Sequence, residues 1–234
     1  MKMFCSLVTA ALLLTLAANV SAQDEGEEEY VKDFMEVALY GGGSFPMGGI
    51  SDWSHTIPER GGTAQLGTKA GFDFGFDVGY FWTLNLVTGL NLTYHQYAID
   101  SDVREVADMH HRVYSVSAYG KYYFFGESSF VPYIKVHAGV DVPKFATLEF
   151  DSNVGDNGGL EYRELTYDPA FAFGAGVGAF YYTFDYGGFF VEANYHTALS
   201  EKSGGSYQGH SFEFGENISL VDIHAGVKVF FGGE

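Results

Sequence analysis

Three histidines lie within four residues of an acidic side chain, on segments where polar and apolar residues alternate. The pairs are His137 with Asp141, Glu192 with His196, and Asp222 with His224. Imidazole and carboxylate groups together can carry out acid–base chemistry or bind a metal ion. No nucleophile stands at a diagnostic spacing from these pairs. We therefore expect no catalytic residue, no bound metal and no cofactor.

Two glycine-rich motifs give no stronger sign of a ligand. The segment from Asp151 to Gly158 is similar to the start of a calcium-binding loop, but Asp156 stands where the EF-hand template needs glycine, and Tyr162 where it needs glutamate. The run from Gly174 to Gly178 alternates with apolar residues inside a strand pattern, whereas a nucleotide-binding fingerprint opens a helix. Its glycines more simply leave room for large neighbouring side chains.

The stretch from Ala70 to Phe81 indicates which kind of element positions the polar residues. Its even positions are apolar, and they are Phe72, Phe74, Phe76, Val78 and Tyr80. Its odd positions from 71 to 79 hold Asp73 and Asp77 with only glycines between them. Because successive side chains of a β-strand point to opposite faces, this pattern predicts a strand with one apolar and one polar face.

Seven other segments alternate in the same way. The predicted strands are 33–44, 70–81, 84–99, 112–125, 131–142, 169–184, 189–199 and 217–231. Four long polar loops, at 46–66, 100–111, 143–168 and 200–216, alternate with three short turns. This connectivity is typical of an up-and-down barrel with two unlike ends.

The N-terminal residues predict export from the cytoplasm. A charged start at Lys2, an apolar segment from Leu7 to Val20 and small residues ending at Ala22 are typical of a secretory signal peptide, and the apolar segment is too short to span a membrane as a helix. We predict a signal peptide at 1–22, an acidic N-terminal tail at 23–32 and a barrel domain at 33–234. The one cysteine, Cys5, falls in the signal peptide, so disulfides do not stabilise the mature protein.

The charge distribution separates the two faces of the barrel and excludes one class of partner. The formal net charge of −18 argues against nucleic acid, which needs a basic surface. The apolar strand faces carry no charge in their central parts, whereas the opposite faces form a predicted polar plug, because eight strands enclose little more than their own side chains. The plug consists of Glu36, Asp73, Asp77, Lys121, Lys135, His137, Asp141, Glu192, His196, Asp222, His224 and Lys228.

Aromatic residues gather beside the short turns and at the C-terminus. The outward members that we expect to form a girdle at one membrane interface are Tyr80, Trp82, Phe124, Tyr181, Phe189 and Phe231. Together with the uncharged outer faces, they predict an all-β fold: an eight-stranded antiparallel up-and-down transmembrane β-barrel. The alternative is a soluble, lipocalin-like barrel with its apolar faces turned inward.

The signal peptide, strand count, loop asymmetry and aromatic-rich last strand, 221–231, resemble those of the small eight-stranded outer-membrane barrels of Gram-negative bacteria, the OmpX-like, OmpA-barrel-like and opacity-protein-like family. The resemblance implies a location in the bacterial outer membrane, with outer-membrane lipid and the barrel-insertion machinery as partners. It implies a structural, adhesive or surface-interaction role, without catalysis, through long loops that bind an extracellular ligand, which the sequence does not name. A narrow porin-like channel for small solutes is the alternative. A lipid-modifying enzyme is a weaker one, because no outward serine and histidine match those of family members that edit lipid A.

A substitution on the apolar face distinguishes the membrane barrel from the soluble one. In a membrane barrel, Phe74→Asp places a carboxylate against lipid and lowers the free energy of unfolding by about 2 kcal/mol or less. In a soluble barrel the same carboxylate enters the core, and the chain does not fold in water. Reversible urea unfolding in lipid vesicles measures the difference. A variant that no longer folds in vesicles would favour the soluble barrel.

Overall fold

A computed structural model of the protein describes residues 34–51, 54–57, 62–65, 67–100, 110–125, 129–151, 159–166, 168–199, 203–207, 210–214 and 217–232. The predicted signal peptide and acidic tail lie outside these residues, as does most of the segment that is similar to a calcium loop. Among the described residues, no helix is long and apolar enough to cross a membrane.

Strands account for most of the described chain. They are β1 (Met35–Met47), β2 (Ser54–Ile57), β3 (Gly62–Gln65), β4 (Gly67–Phe81), β5 (Leu86–Asp100), β6 (His110–Tyr123), β7 (Phe130–Asp151), β8 (Gly159–Thr166), β9 (Ala170–Phe184), β10 (Gly187–Leu199), β11 (Ser203–Tyr207), β12 (His210–Phe214) and β13 (Ile218–Phe231). A single turn of 3₁₀-helix at Gly48–Ile50 follows β1.

Eight of these strands close into a barrel. Their order around it is β6, β5, β4, β1, β13, β10, β9 and β7, and an antiparallel pairing of β6 with β7 completes the circle. The first and last barrel strands, β1 and β13, pair from Met35 opposite Phe231 to Met47 opposite Ser219. The predicted fold class, an eight-stranded antiparallel up-and-down barrel, is therefore confirmed.

Three segments that the sequence pattern assigns to loops contain further strands, so that part of the prediction is wrong. Strands β2 and β3 pair within 46–66, and β11 and β12 pair within 200–216. In the third, β7 continues past the barrel rim and pairs with β8 from Lys144 opposite Thr166 to Asp151 opposite Gly159. Glycine and polar side chains predict loops, but adjacent antiparallel segments can still satisfy their backbone groups by pairing with each other.

The two faces of the barrel strands have the predicted polarity. On β4, Phe74 is 55% exposed on the outside, whereas its neighbour Asp73 is 2% exposed on the inside. The same alternation appears on β13, where Ile223 is exposed and Asp222 is buried. The outer surface is thus apolar and the lumen polar, the reverse of a soluble barrel and the arrangement that lipid requires.

Buried apolar side chains gather towards both ends of the lumen. At the short-turn end lies a buried cluster that we call the lower cluster, and its members are Ala38, Tyr40, Phe81, Val87, Tyr119, Tyr123, Val131, Tyr133, Phe180, Phe190 and Phe230. At the long-loop end lies the upper cluster, which consists of Ile50, Tyr97, Val113, Phe145, Ala170, Ala172, Ala198, Ile218 and Leu220. The polar residues of the lumen lie between and beside these clusters.

Candidate functional site

The charged residues of the lumen divide into two groups along the barrel axis. The lysine group consists of Glu36, Asp77, Glu192, Lys121, Lys135 and Lys228. The histidine group consists of Asp73, Asp141, Asp222, His95, His137, His196 and His224. On every strand that contributes to both, the histidine-group residue lies nearer the long-loop end. All of these side chains are buried except His137, which is half-buried.

Within the lysine group, each carboxylate has at least one lysine as a partner. Lys121 Nζ lies 2.7 Å from Glu36 Oε1, and Lys228 Nζ lies 3.6 Å from Glu36 Oε2. Lys135 Nζ lies 3.1 Å from both Asp77 Oδ2 and Glu192 Oε1. Three acids and three lysines balance, which matters because leaving a buried charge unpaired costs several kcal/mol.

Neutral side chains supply further hydrogen bonds to Glu36 and Asp77. Tyr119 Oη donates to Glu36 Oε1 at 2.9 Å, and Tyr123 Oη donates to Glu36 Oε2. Asn91 Nδ2 donates to Asp77 Oδ1 at 2.6 Å. These three partners are not part of the predicted plug, although the alternation along their strands places them on the same inward face as the charged residues. Polar networks whose members are satisfied in this way give a lumen one defined arrangement.

The histidine group is organised differently, because no lysine among the described residues pairs with its aspartates. His196 Nε2 lies 2.7 Å from Asp141 Oδ2, and its Nδ1 lies 3.0 Å from His137 Nε2. His224 Nε2 lies 3.2 Å from Asp73 Oδ2. These histidines help to line a small polar cavity in the lumen.

This geometry does not resemble that of a hydrolase. Both ring nitrogens of His196 are engaged, one with Asp141 and one with His137, so neither is left to accept a proton from a nucleophile. A general base must reach the proton that it removes within about 3.2 Å. The arrangement therefore supports structural pairing or cation binding better than acid–base catalysis.

The structure brings most of the predicted plug residues into direct contact with one another. It also adds one histidine, His95, which the predicted plug omits. His95 has no acid close to it in sequence, but its position on β5 lies directly opposite Asp73 on β4. Its Nδ1 lies 3.9 Å from Asp222 Oδ1. The alternation along β5 places His95 on the same face as Asn91 and Thr93, which is the only indication in the sequence that it points inward. Identifying its contacts also requires the register between β4 and β5.

The six aromatic residues that are expected to form a girdle all lie on the outside, next to the short turns or at the end of β13. Their exposed fractions range from 37% for Tyr80 to 60% for Trp82. The rings of these two residues pack edge to face, with centroids 5.4 Å apart. Trp82 Nε1 also donates to Thr88 Oγ1 at 2.6 Å. Amphipathic aromatic rings in such positions suit a membrane–water interface.

Comparison with known proteins identifies a family whose model matches this chain. Residues 8–218 match the family model described as an outer membrane protein beta-barrel domain. Similar solved structures include Neisserial surface protein A (16% identity, 85% of this chain and 97% of that chain covered, TM-score 0.47) and OprG from Pseudomonas aeruginosa (12%, 85% and 97%, 0.48). Outer membrane protein W of E. coli is also similar (17%, 85% and 97%, 0.41). No curated protein matches the chain.

Removing one lysine tests whether charge pairing holds the lumen together. In Lys135→Met, Glu192 loses its lysine and Asp77 keeps only the one at 3.5 Å. We expect the free energy of unfolding to fall by about 3–5 kcal/mol, because a carboxylate is left buried without its partner. Reversible urea unfolding in lipid vesicles measures this change.

Two variants complete that experiment. Lys69→Met removes an exposed lysine of β4 and is the matched control, for which we expect a change within about 0.5 kcal/mol. Lys135→Met combined with Glu192→Gln removes the unpaired charge and should recover part of the loss. Equal effects of Lys135→Met and Lys69→Met would contradict a structural role for the lysine group.

Proposed function

Since the chain belongs to the outer membrane protein β-barrel domain family, we propose that it acts as a closed, non-conducting scaffold whose long-loop end binds an extracellular ligand. The protein lies in the bacterial outer membrane, and barrels there have short periplasmic turns and longer extracellular loops. The long-loop end, which carries the β2–β3, β7–β8 and β11–β12 hairpins, then faces the outside of the cell.

The observation that carries this proposal is the presence of buried apolar clusters towards both ends of the lumen, which we infer to close it. The lower cluster includes Phe81, Phe180 and Phe230, whose rings pack with centroids 5.3–5.8 Å apart. In the upper cluster, Tyr97 and Phe145 are fully buried. A path for hydrated solutes needs polar walls that are continuous from one end to the other, and these clusters interrupt them. The charged residues between them serve as a structural plug.

The composition of the long loops indicates what kind of ligand they bind. The four segments 46–66, 100–111, 143–168 and 200–216 together contain 15 acidic and 5 basic residues. Complementary charge steers a partner towards such a surface, and like charge repels it. We therefore infer that the ligand presents basic groups, and that polyanions such as sulfated polysaccharides do not bind.

The outer surface and the last strand would provide the remaining partners. Exposed apolar side chains of the barrel face outer-membrane lipid, and the six aromatic residues of the girdle lie at its periplasmic interface. The last strand β13 ends in Phe231, which is exposed and accessible to the barrel-insertion machinery.

A narrow channel is the second candidate, and the polar cavity of the lumen favours it. Inward glycines on β9 widen the lumen locally, since a Cβ on Gly174 or Gly178 would overlap the ring of His137 or Tyr133. Those rings, however, already occupy the space that the glycines leave. The cavity is therefore better explained as a gap within a packed interior than as part of a conducting path.

Electrical recording separates the two candidates. Purified protein inserted into planar lipid bilayers should produce no conductance steps above those of protein-free membranes, because both ends of the lumen are closed. Insertion is verified on the same preparation by the change in gel mobility between boiled and unboiled samples. Reproducible steps that scale with the amount of inserted protein would support the channel and refute the closed scaffold.

Binding to charged surfaces tests the ligand class. Protein in nanodiscs of neutral phosphatidylcholine should bind immobilised polylysine but not heparin, and increasing salt should weaken the binding. Replacing three acids of the β7–β8 hairpin, Glu149, Glu161 and Glu164, by glutamine should reduce retention several-fold. The matched control replaces Glu27, Glu28 and Glu29 of the N-terminal tail, which precedes β1 at the opposite end of the barrel. Equal losses in the two triple variants, or binding to heparin, would contradict the proposal.

A further inference from the structure

The histidine group lacks the charge compensation that the lysine group has. Its three aspartates, Asp73, Asp141 and Asp222, are buried, and among the described residues the buried lysines of the lumen all belong to the other group. A buried carboxylate is tolerated when it is paired or when it coordinates a metal ion. Within the described part of the chain, each aspartate has only a histidine as its ionic partner: His196 lies 2.7 Å from Asp141, His224 lies 3.2 Å from Asp73, and His95 lies 3.9 Å from Asp222.

Three side chains of this group converge on one point of the lumen. One donor atom each from Asp73, His95 and Asp222 lies within 4.8 Å of the other two. They come from β4, β5 and β13. Between β4 and β13 runs β1, whose residue beside Asp73 and His224 is Gly42, and the absence of a side chain there lets the backbone of β13 approach closely.

The donor atoms at this point lack the hydrogen bonds that buried polar atoms normally make. Both carboxylate oxygens of Asp73 lack a hydrogen-bond partner among the described residues, and so does the Nδ1 of His95. The Nε2 of His224 approaches Asp73 Oδ2 to 3.2 Å without forming a hydrogen bond. More than nine-tenths of buried polar groups in proteins have a partner, so a cluster of unsatisfied donors and acceptors marks a place for a bound water or ion.

We propose that Asp73, His95 and Asp222 bind a divalent transition-metal ion, such as Zn²⁺, inside the barrel. Imidazole nitrogen and carboxylate oxygen are zinc ligands at about 2.0–2.2 Å, so two donors of one tetrahedral ion stand about 3.3–3.6 Å apart. The donor atoms of Asp73, His95 and Asp222 all lie within 4.8 Å of one another, so binding requires them to move closer together by roughly 1 Å. An ion of charge +2 offsets the two carboxylates and gives a partner to the unsatisfied atoms of Asp73 and His95.

The surroundings support a coordinating role for Asp222. Ser44 Oγ donates to Asp222 Oδ1 and lies 2.8 Å from Tyr97 Oη, which belongs to the upper cluster. Such hydrogen bonds to a ligand carboxylate fix its orientation and are a regular feature of metal sites. The upper cluster covers this side of the lumen, which keeps the proposed ion away from bulk water and makes its exchange slow.

Metal content after refolding tests the proposal. The mature chain, without an affinity tag, is refolded into detergent micelles with or without Zn²⁺, passed through a desalting column and analysed by mass spectrometry of the metal. Folded protein is identified by its heat-modifiable gel mobility. We expect about one zinc per folded chain and a higher unfolding temperature than for protein refolded with chelator. If folded wild-type protein that was refolded with Zn²⁺ contains no more zinc than the background level, the proposal is overturned.

Variants show whether the ion occupies the proposed donors. His95→Gln and Asp222→Asn should each reduce bound zinc at least tenfold in the folded fraction. Asp141→Asn removes a neighbouring buried acid outside the donor set, and we expect it to keep about one zinc per chain. Two donor variants are used so that a folding defect in one leaves the other as a test. Zinc retained in both donor variants, or lost in Asp141→Asn, would refute the assignment.

Discussion

Neutralising charge inside the barrel is the constraint on which the rest of this structure depends. The outer surface faces hydrocarbon, where a charged side chain costs up to about 4 kcal/mol at the midplane, so the ionisable residues of the strands are directed into the lumen. There they are removed from water, and an unpaired one would cost several kcal/mol. Most pairs that meet this requirement join strands that are not neighbours in the sheet, as Glu36 of β1 does with Lys121 of β6. Charge pairing therefore cross-links the barrel through its centre.

The same narrow lumen makes side-chain volume a second constraint. Eight strands enclose a space that their own side chains can fill. Where a large ring crosses this space, the facing position is glycine: a Cβ on Gly75 would lie 2.2 Å from Tyr40 Oη, and one on Gly178 would lie 2.4 Å from the Tyr133 ring. Tyr40 in turn shares a hydrogen bond with Thr93 Oγ1 at 2.8 Å. Glycines in the strands thus make room for both rings, and the Tyr40 hydroxyl joins the polar network.

The sequence predicted the faces of the strands better than the contacts within the lumen, and the reason is geometric. A period of two assigns Phe74 to one side and Asp73 to the other without knowledge of any neighbour. The partner of Asp73, by contrast, depends on the register between β4, β5 and β1, which side-chain alternation does not encode beyond its parity. His95 was overlooked for this reason. The hairpins at the long-loop end were missed because backbone pairing holds them together and their composition resembles that of loops.

The two groups of buried charges meet the constraint in different ways, and the difference follows their position along the barrel axis. The lysine group contains equal numbers of acids and lysines, so it is neutral without any contribution from outside. The histidine group contains three aspartates and four imidazoles, so its neutrality depends on protons or a cation taken from the medium. It lies nearer the long-loop end of the barrel. An ion bound by Asp73, His95 and Asp222 would join β4, β5 and β13, which are the barrel strands that adjoin the long segments 46–66, 100–111 and 200–216.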